Sequence, residues 1–185
     1  AELLDRLAGI EGVYVPSHFS VSYRDDGTIE AVVPLRAGRD CVRRRVAADL
    51  ESLPYPTEPV VPFLKTVHDR VSMEIARGCT RGCRFCQAGY IYRPVRERTP
   101  GTILDTIDTV LKNTGYEEVS LLSLSSADYG CITGLLRTLM ERYASERVAV
   151  SFPSLRVGSL TRDLVDEVAR VRKTGFTLAP EAGTQ

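Results

Sequence analysis

From residue 70 onward the sequence alternates short apolar runs with longer stretches of helical periodicity, and no other feature constrains the fold as tightly. In "DRVSMEIAR" the apolar residues Val71, Met73 and Ile75 occupy every second position, the period of a strand. "TPGTILDTIDTVLKNTG" puts Ile103, Ile107, Val110 and Leu111 on one helical face, with Thr99 to cap it, Pro100 in its first turn and Gly115 to end it. "EEVSLLSL" reads as a strand, "CITGLLRTLMERYAS" as a helix, "RVAVSF" as a strand, "TRDLVDEVARVRKTG" as a helix and "FTLA" as a strand. The order βαβαβαβ requires parallel strands joined by right-handed crossovers. Four such strands fit half of a (β/α)8 barrel or a small open sheet. The stop at Gln185, just after the last strand signal, favours the half barrel. The expected class is α/β, a partial (β/α) barrel of about four βα units.

The preceding residues read differently. "LLDRLAG" is a short helix, and "VYVPSHFSVSYRDDGTIEAVVPLR" places strand-forming runs on either side of "DDGT", a hairpin turn signal. "ESLPYPTEPVVPF" holds four of the ten prolines and reads as an extended connector poor in backbone donors. The expected division is a small α+β segment with its connector over 1–65 and the barrel-forming part over 66–185. The chain opens without Met and ends beside a strand-like run, so a piece of a longer protein is expected.

Three of the five cysteines, Cys79, Cys83 and Cys86, lie in "GCTRGCRFCQAG" at the spacing C-x3-C-x2-C. An odd count with three packed together is a poor disulfide framework and a better metal site in a reducing compartment. No signal-peptide pattern opens the chain, and no apolar run approaches the ~20 residues that span a bilayer. A cytoplasmic protein without a membrane partner is expected. The formal net charge is zero, which removes a global basic signature for nucleic acid.

Three thiolates fall one short of a structural zinc tetrahedron. They match three irons of a [4Fe-4S] cluster and leave the fourth iron open. S-adenosylmethionine (SAM) fits such an iron, because its amino and carboxylate groups chelate; an electron from the cluster then breaks the sulfonium bond and releases a 5′-deoxyadenosyl radical. Gly78, Gly82 and Gly89 let the loop curl around a bulky cubane. Phe85 offers a surface for an adenine. Arg77, Arg81, Arg84, Arg93, Arg96 and Arg98, against the single acid Glu97, offset an anionic cluster. Two other readings stand beside this one: a zinc site completed by Cys41 or His68, and three cysteines on one face of a helix.

C-x3-C-x-Φ-C, with Phe85 as the aromatic, resembles the signature of the radical SAM superfamily. "MEIARGCTRGCRFCQAGYIYRPVRERTP", "EVSLLSLSSADYG", "VSFPSLRVGSL" and "KTGFTLAPEAGTQ" together resemble bacterial radical SAM proteins with an upstream cobalamin-binding-like domain. The resemblance implies that Cys79, Cys83 and Cys86 hold the cluster, with no catalytic side chain beyond these ligands. It implies that residues 1–65 are the tail of the upstream domain and its connector, and that cobalamin would bind outside this chain. Where the family's Gly-Gly-Glu meets the SAM amino group, this chain has Ser125, Ser126, Ala127 and Asp128, whose oxygens accept from an ammonium. Arg156, after the third strand, suits a carboxylate, and Glu181, after the fourth, suits the ribose hydroxyls.

Other residues carry blander expectations. Cys131 is expected to be buried packing at a helix start, Cys41 to be structural, and His18 and His68 to be ordinary hydrogen-bonded residues. Tyr90 and Tyr92 interleave with the arginines, a pattern that packs over the cluster or stacks on RNA bases. The expected partners are an electron donor such as flavodoxin or ferredoxin and a substrate of unknown class, anionic or RNA. A homodimer through the open barrel edge is also expected. The rival classes are a non-catalytic, metal-stabilised RNA- or protein-binding module and an electron carrier with a fully ligated cluster.

Overall fold

A strand whose apolar residues recur at every second position buries one face and leaves the other polar. The computed structural model, which describes residues 2–38, 40–172, 175–181 and 183, is organised around three such strands. The chain divides into two compact units, Ala1–Ala47 and Ala48–Gln185. The first holds α1 (Glu2–Ala8), β1 (Phe19–Tyr23) and β2 (Ile29–Pro34). β1 and β2 form the expected antiparallel hairpin. Its turn is closed by Asp26, whose carboxylate accepts from the Thr28 N–H at 2.9 Å and from its hydroxyl at 2.7 Å.

The second unit contains β3 (Val71–Glu74), β4 (Ala76–Arg77), α2 (Ala88–Ile91), β5 (Arg96–Glu97), α3 (Pro100–Thr114), β6 (Glu118–Leu122), α4 (Ile132–Tyr143), β7 (Ala149–Ser151), β8 (Leu155–Arg156), α5 (Arg162–Val168) and β9 (Leu178–Ala179). The strands β3, β6 and β7 pair in that order, all parallel. Their register aligns Val71 with Val119 and Val150, and Ser72 with Ser120 and Ser151. Val71, Met73, Val119, Leu121 and Val150 are buried in one core with Ile103 and Ile107 of α3 and Leu135, Leu136 and Leu139 of α4. α3 begins and ends as its sequence dictates. Thr99 Oγ1 accepts from the Thr102 N–H at 3.3 Å, and Gly115 leaves the helix at φ 70°. The opposite sheet face carries the serine row. A sheet covered by helices on both sides needs apolar residues on both; this one is apolar on one side only.

The expectation of one sheet of four strands needs correction. The run "RVAVSF" stops pairing with β6 at Ser151. Pro153 lacks an N–H and Ser154 takes φ 65°, so the chain bends there. After the bend β8 pairs in parallel with β9. The last strand is therefore joined to the continuation of the third rather than to the main sheet. α5 is also shorter than the run that suggested it.

Residues 48–65, expected with the N-terminal part, belong to the second compact unit, whose boundary falls at Ala47 and Ala48. Leu50 is 1% exposed. The Glu51 carboxylate accepts from the Thr99 N–H and the Thr102 hydroxyl at the start of α3, where a negative charge is favoured. Tyr55 docks on the outer edge of β3: its hydroxyl donates to the Ser72 carbonyl and accepts from the Glu74 N–H at 3.3 Å. The Arg98 guanidinium lies 5.5 Å from the Tyr55 ring. At these two positions the edge is taken and offers nothing to another strand.

At the start of β6, Glu118 joins three elements. It accepts from Arg70 at 2.8 Å, from the Ser151 hydroxyl at 3.1 Å and from Arg172. Burial favours its neutral acid, but the hydrogen bonds from Arg70 and Ser151 and the charge of Arg172 outweigh burial and hold the carboxyl below its ordinary 4.5. Stability from such a depressed group is complete above the unfolded-state value and is lost as pH falls through the lower folded-state value. Glu118→Gln should therefore cost about 1–3 kcal/mol at neutral pH. It should also flatten the loss of stability on acidification, as read by urea unfolding at neutral pH and at about pH 3.

Candidate metal centre

The cysteine loop grows out of β3. Ile75 still hydrogen-bonds to Leu122 of the neighbouring strand, at 3.0 Å. β4 then turns to pair antiparallel with β5, Ala76 against Glu97 and Arg77 against Arg96. Residues 78–95 thus leave and return at one point, beyond the C-terminal edge of the parallel sheet, where ligands of parallel α/β folds bind. The loop is pinched at its base. Gly78 takes φ 96°, and a Cβ there would lie 2.5 Å from the Tyr92 carbonyl oxygen and 2.7 Å from that of Pro94. Only glycine fits.

Cys79, Cys83 and Cys86 are free thiols, each partly exposed on this loop. The Arg81 N–H points to Cys79 Sγ at 3.5 Å, and the Cys86 N–H bonds to the Cys83 carbonyl at 3.0 Å, just before α2. Among the described residues no group of three or more His, Cys, Asp or Glu side chains surrounds a single ion position. A cubane presents its irons at separate corners, so its thiolates do not converge on one atom as tetrahedral zinc ligands do. His68 pairs with Arg70 at 2.6 Å before the start of β3, at the sheet end opposite the loop. Cys41 belongs to the other compact unit.

Facing the loop is a charged cluster that unites residues singled out separately in the sequence. Asp128 sits in a 3-10 turn (Ser126–Asp128) after β6. Its carboxylate accepts from Arg81 through both Nε, at 2.7 Å, and Nη2. It also accepts from the Ser125 hydroxyl at 2.6 Å and from Arg156 Nη2 at 3.2 Å. These donors, Arg81 foremost, hold the carboxyl far below the usual range despite partial burial. Arg156 Nε is buried and has no partner among the described residues, so one donor at this point remains to be satisfied.

Glu181, with φ 64°, reaches the loop from beyond β9. Its carboxylate, foremost, with a smaller effect of burial, pushes the Cys83 thiol above its ordinary value. Phe85 is 69% exposed and offers a free ring face. Ser126 turns the other way: fully buried, it accepts from the Ser123 hydroxyl at 3.1 Å and donates to the Leu121 carbonyl at 3.2 Å.

The arginines require a correction, for they are not a free positive field. Arg77 makes a bidentate pair with Glu74, both bonds 2.8 Å. Arg96 binds the carbonyls of Pro94 and Tyr92, and Arg93 lies 4.9 Å from the Tyr90 ring. Arg98 is buried against Leu53 and Tyr55. Cys131 is exposed rather than buried, because it precedes α4 and that helix begins its burial at Ile132. Arg81 was counted in the sequence only as charge; its acidic partner is 47 positions away, beyond the reach of any local pattern. Beside the loop, a cleft of about 540 Å³ is lined by Tyr55, Glu74, Arg77, Gly78, Tyr92 and Leu122, within the usual range for ligand pockets.

Comparisons with known proteins bear on the family and the fold. The family model described as the Radical SAM superfamily matches residues 73–185. An uncharacterized protein of Methanocaldococcus jannaschii is 36% identical over 114 residues, 61% of this chain and 24% of that one. A tRNA-2-methylthio-N(6)-dimethylallyladenosine synthase of Azobacteroides pseudotrichonymphae is 33% identical over 121 residues, 60% of this chain and 25% of the other. The chain thus spans about a quarter of the length of these curated relatives. Among solved structures, the radical S-adenosylmethionine methyltransferase TsrM of Kitasatospora setae, with cobalamin and a [4Fe-4S] cluster bound, aligns with a TM-score of 0.51 at 14% identity. The alignment covers 60% of this chain and 22% of that one, a likeness of fold. Among the described residues no helix is long and apolar enough to cross a membrane.

The pinch at Gly78 and the open turn at Gly82 make a paired prediction. At Gly82, φ is 68° and the nearest atom to an added Cβ is Arg93 Nη2 at 3.6 Å. Gly78→Ala should cost about 2–4 kcal/mol from strain and overlap together, and Gly82→Ala about 1 kcal/mol. Thermal unfolding of the two variants tests the difference.

Proposed function

Because the chain belongs to the Radical SAM superfamily, we propose that Cys79, Cys83 and Cys86 hold three irons of a [4Fe-4S] cluster and leave the fourth to SAM. When bound, the reduced cluster supplies the electron that cleaves SAM to a 5′-deoxyadenosyl radical, the hydrogen-abstracting species. This chain's own residues bind and orient. The observation that carries the reading is the half-satisfied Arg156, its Nε buried without a partner next to Ser125 and Asp128 and across from the thiol loop. A guanidinium beside a hydroxyl suits an α-amino-acid group: Arg156 for the carboxylate, the Ser125 hydroxyl next to Asp128 for the ammonium. Phe85 would lie against the adenine, and Glu181, held at the cysteine loop, would take the ribose hydroxyls.

The second unit is read as the first part of a partial barrel, with the serine row on its inner face and the β3 edge occupied by Tyr55. Residues 1–47 are read as the tail of an upstream cobalamin-binding-like domain, and 48–65 as a connector that belongs to the second unit. Methylthio transfer is the reaction class that the name of one relative suggests; the cytoplasm as its setting and a flavodoxin- or ferredoxin-like electron donor belong to the same proposal.

Anaerobic reconstitution with iron and sulfide should give a dithionite-reduced protein with a [4Fe-4S] electron paramagnetic resonance signal that SAM perturbs. Each of Cys79→Ser, Cys83→Ser and Cys86→Ser should lose most of the iron. Zinc bound in place of a cluster would sink the reading and favour a metal-stabilised binding module. A cluster indifferent to SAM would favour an electron carrier.

A further inference from the structure

A carboxylate offers about four lone-pair positions, and on Asp128 all four are taken. Oδ1 receives Nη2 of Arg81 and Nη2 of Arg156; Oδ2 receives Nε of Arg81 and the hydroxyl of Ser125. An incoming ammonium finds no acceptor there unless a guanidinium leaves. The donors come from three successive strand ends: Arg81 from the cysteine loop after β3 and β4, Ser125 from the turn after β6, and Arg156 from β8. One carboxylate therefore joins the thiol loop to the place where the orphaned Arg156 Nε waits.

We propose that Asp128 and Arg81 are positioning residues, a staple that holds the cysteine loop and Arg156 in one arrangement before the cluster and SAM bind, and that Asp128 does not itself contact SAM. The inference rests on the proposed function for its purpose and on the hydrogen bonds for its existence. The base of the loop is already fixed by the β4–β5 pairing and the Gly78 crossing. Its tip is not buried: Thr80, Arg81, Arg84 and Phe85 are exposed. Arg81 is the tip's link to the sheet edge through two parallel bonds, which a planar guanidinium makes and an ammonium does not. Three thiols that must meet three corners of a rigid cubane bind it better when their loop is held beforehand. The ammonium of SAM then falls to the Ser125 hydroxyl, which donates to Asp128 and keeps its own lone pairs free for a ligand.

The test uses the full-length protein with Arg81→Ala, Arg81→Lys, Asp128→Asn and, as a control that removes the same charge from the same loop, Arg84→Ala. In the metal-free proteins, hydrogen exchange over residues 79–89 should be about fivefold faster in Arg81→Ala and Asp128→Asn, intermediate in Arg81→Lys and unchanged in Arg84→Ala. Exchange in β3, β6 and α3 should stay as in the parent. Iron retained after anaerobic reconstitution should fall in the same order. Equal loop exchange in Arg81→Ala and the parent overturns the staple, and so does an Arg84→Ala effect as large as that of Arg81→Ala. Normal exchange and iron content in Asp128→Asn with loss of the SAM-induced spectral change would make Asp128 a direct ligand, and also overturns it. Should Asp128→Asn fail to fold, the exposed Arg81 variants still decide. Failure of the parent to take up a cluster counts against the proposed function alone, since the metal-free exchange data still judge the staple.

Discussion

The one-sided burial of three parallel strands is the constraint from which the rest of this molecule follows. Val71, Met73, Val119, Leu121 and Val150 must all leave water on the same side, and a slip of one residue in any strand would put its serines there instead. With that register fixed, β3 and β6 end level at Glu74 and Leu122, β7 stops two positions earlier at Ser151, and the connections that follow emerge at a common edge. The cysteine loop, the Ser125–Asp128 turn and Arg156 are neighbours for this reason. Their positions in the chain are far apart, and nothing local draws them together.

The charges at that edge are paired with nearby groups in a chain whose formal net charge is zero. Arg77, Arg81, Arg96 and Arg98 are each tied down, by Glu74, by Asp128, by loop carbonyls or by the Tyr55 ring. Partly exposed ion pairs add little to stability one by one. Their effect here is geometric, since a bidentate pair fixes orientation as well as distance. The same economy appears at the other end of the sheet, where Glu118 gathers Arg70, Arg172 and Ser151. That end holds the fold together, and the cysteine end is the one proposed to take a ligand.

The connector 48–65 shows where composition misled. Its prolines keep it free of helix and strand, but such chain need not be a free linker. Tyr55 supplies the hydroxyl that satisfies both a donor and an acceptor on the edge of β3, and Glu51 supplies the charge that the first turn of α3 favours. A proline-rich strand neighbour cannot pair in a ladder, so side chains do the work that a ladder would do. This contact covers part of the β3 edge of an open three-stranded sheet.

Much of this was legible in the sequence, and the reasons separate cleanly. The strands β3 and β6, the helices α3 and α4, the hairpin and the grouping of Cys79, Cys83 and Cys86 are local: each is carried by a period, a cap or a turn residue within a few positions. Membership in the Radical SAM superfamily rests on the same local signals. The bend at Pro153–Ser154 that parts β9 from the main sheet, the exposure of Cys131, the inward turn of Ser126 and the docking of Tyr55 were decided only by packing. So was the meeting of Arg81, Asp128 and Arg156, because an ion pair between residues 47 positions apart exists only after the strands have chosen their neighbours. Sequence alone determines which segments form and which cysteines lie on one loop; tertiary structure decides which distant side chains face that loop, since only the parallel register brings their strand ends to the same edge.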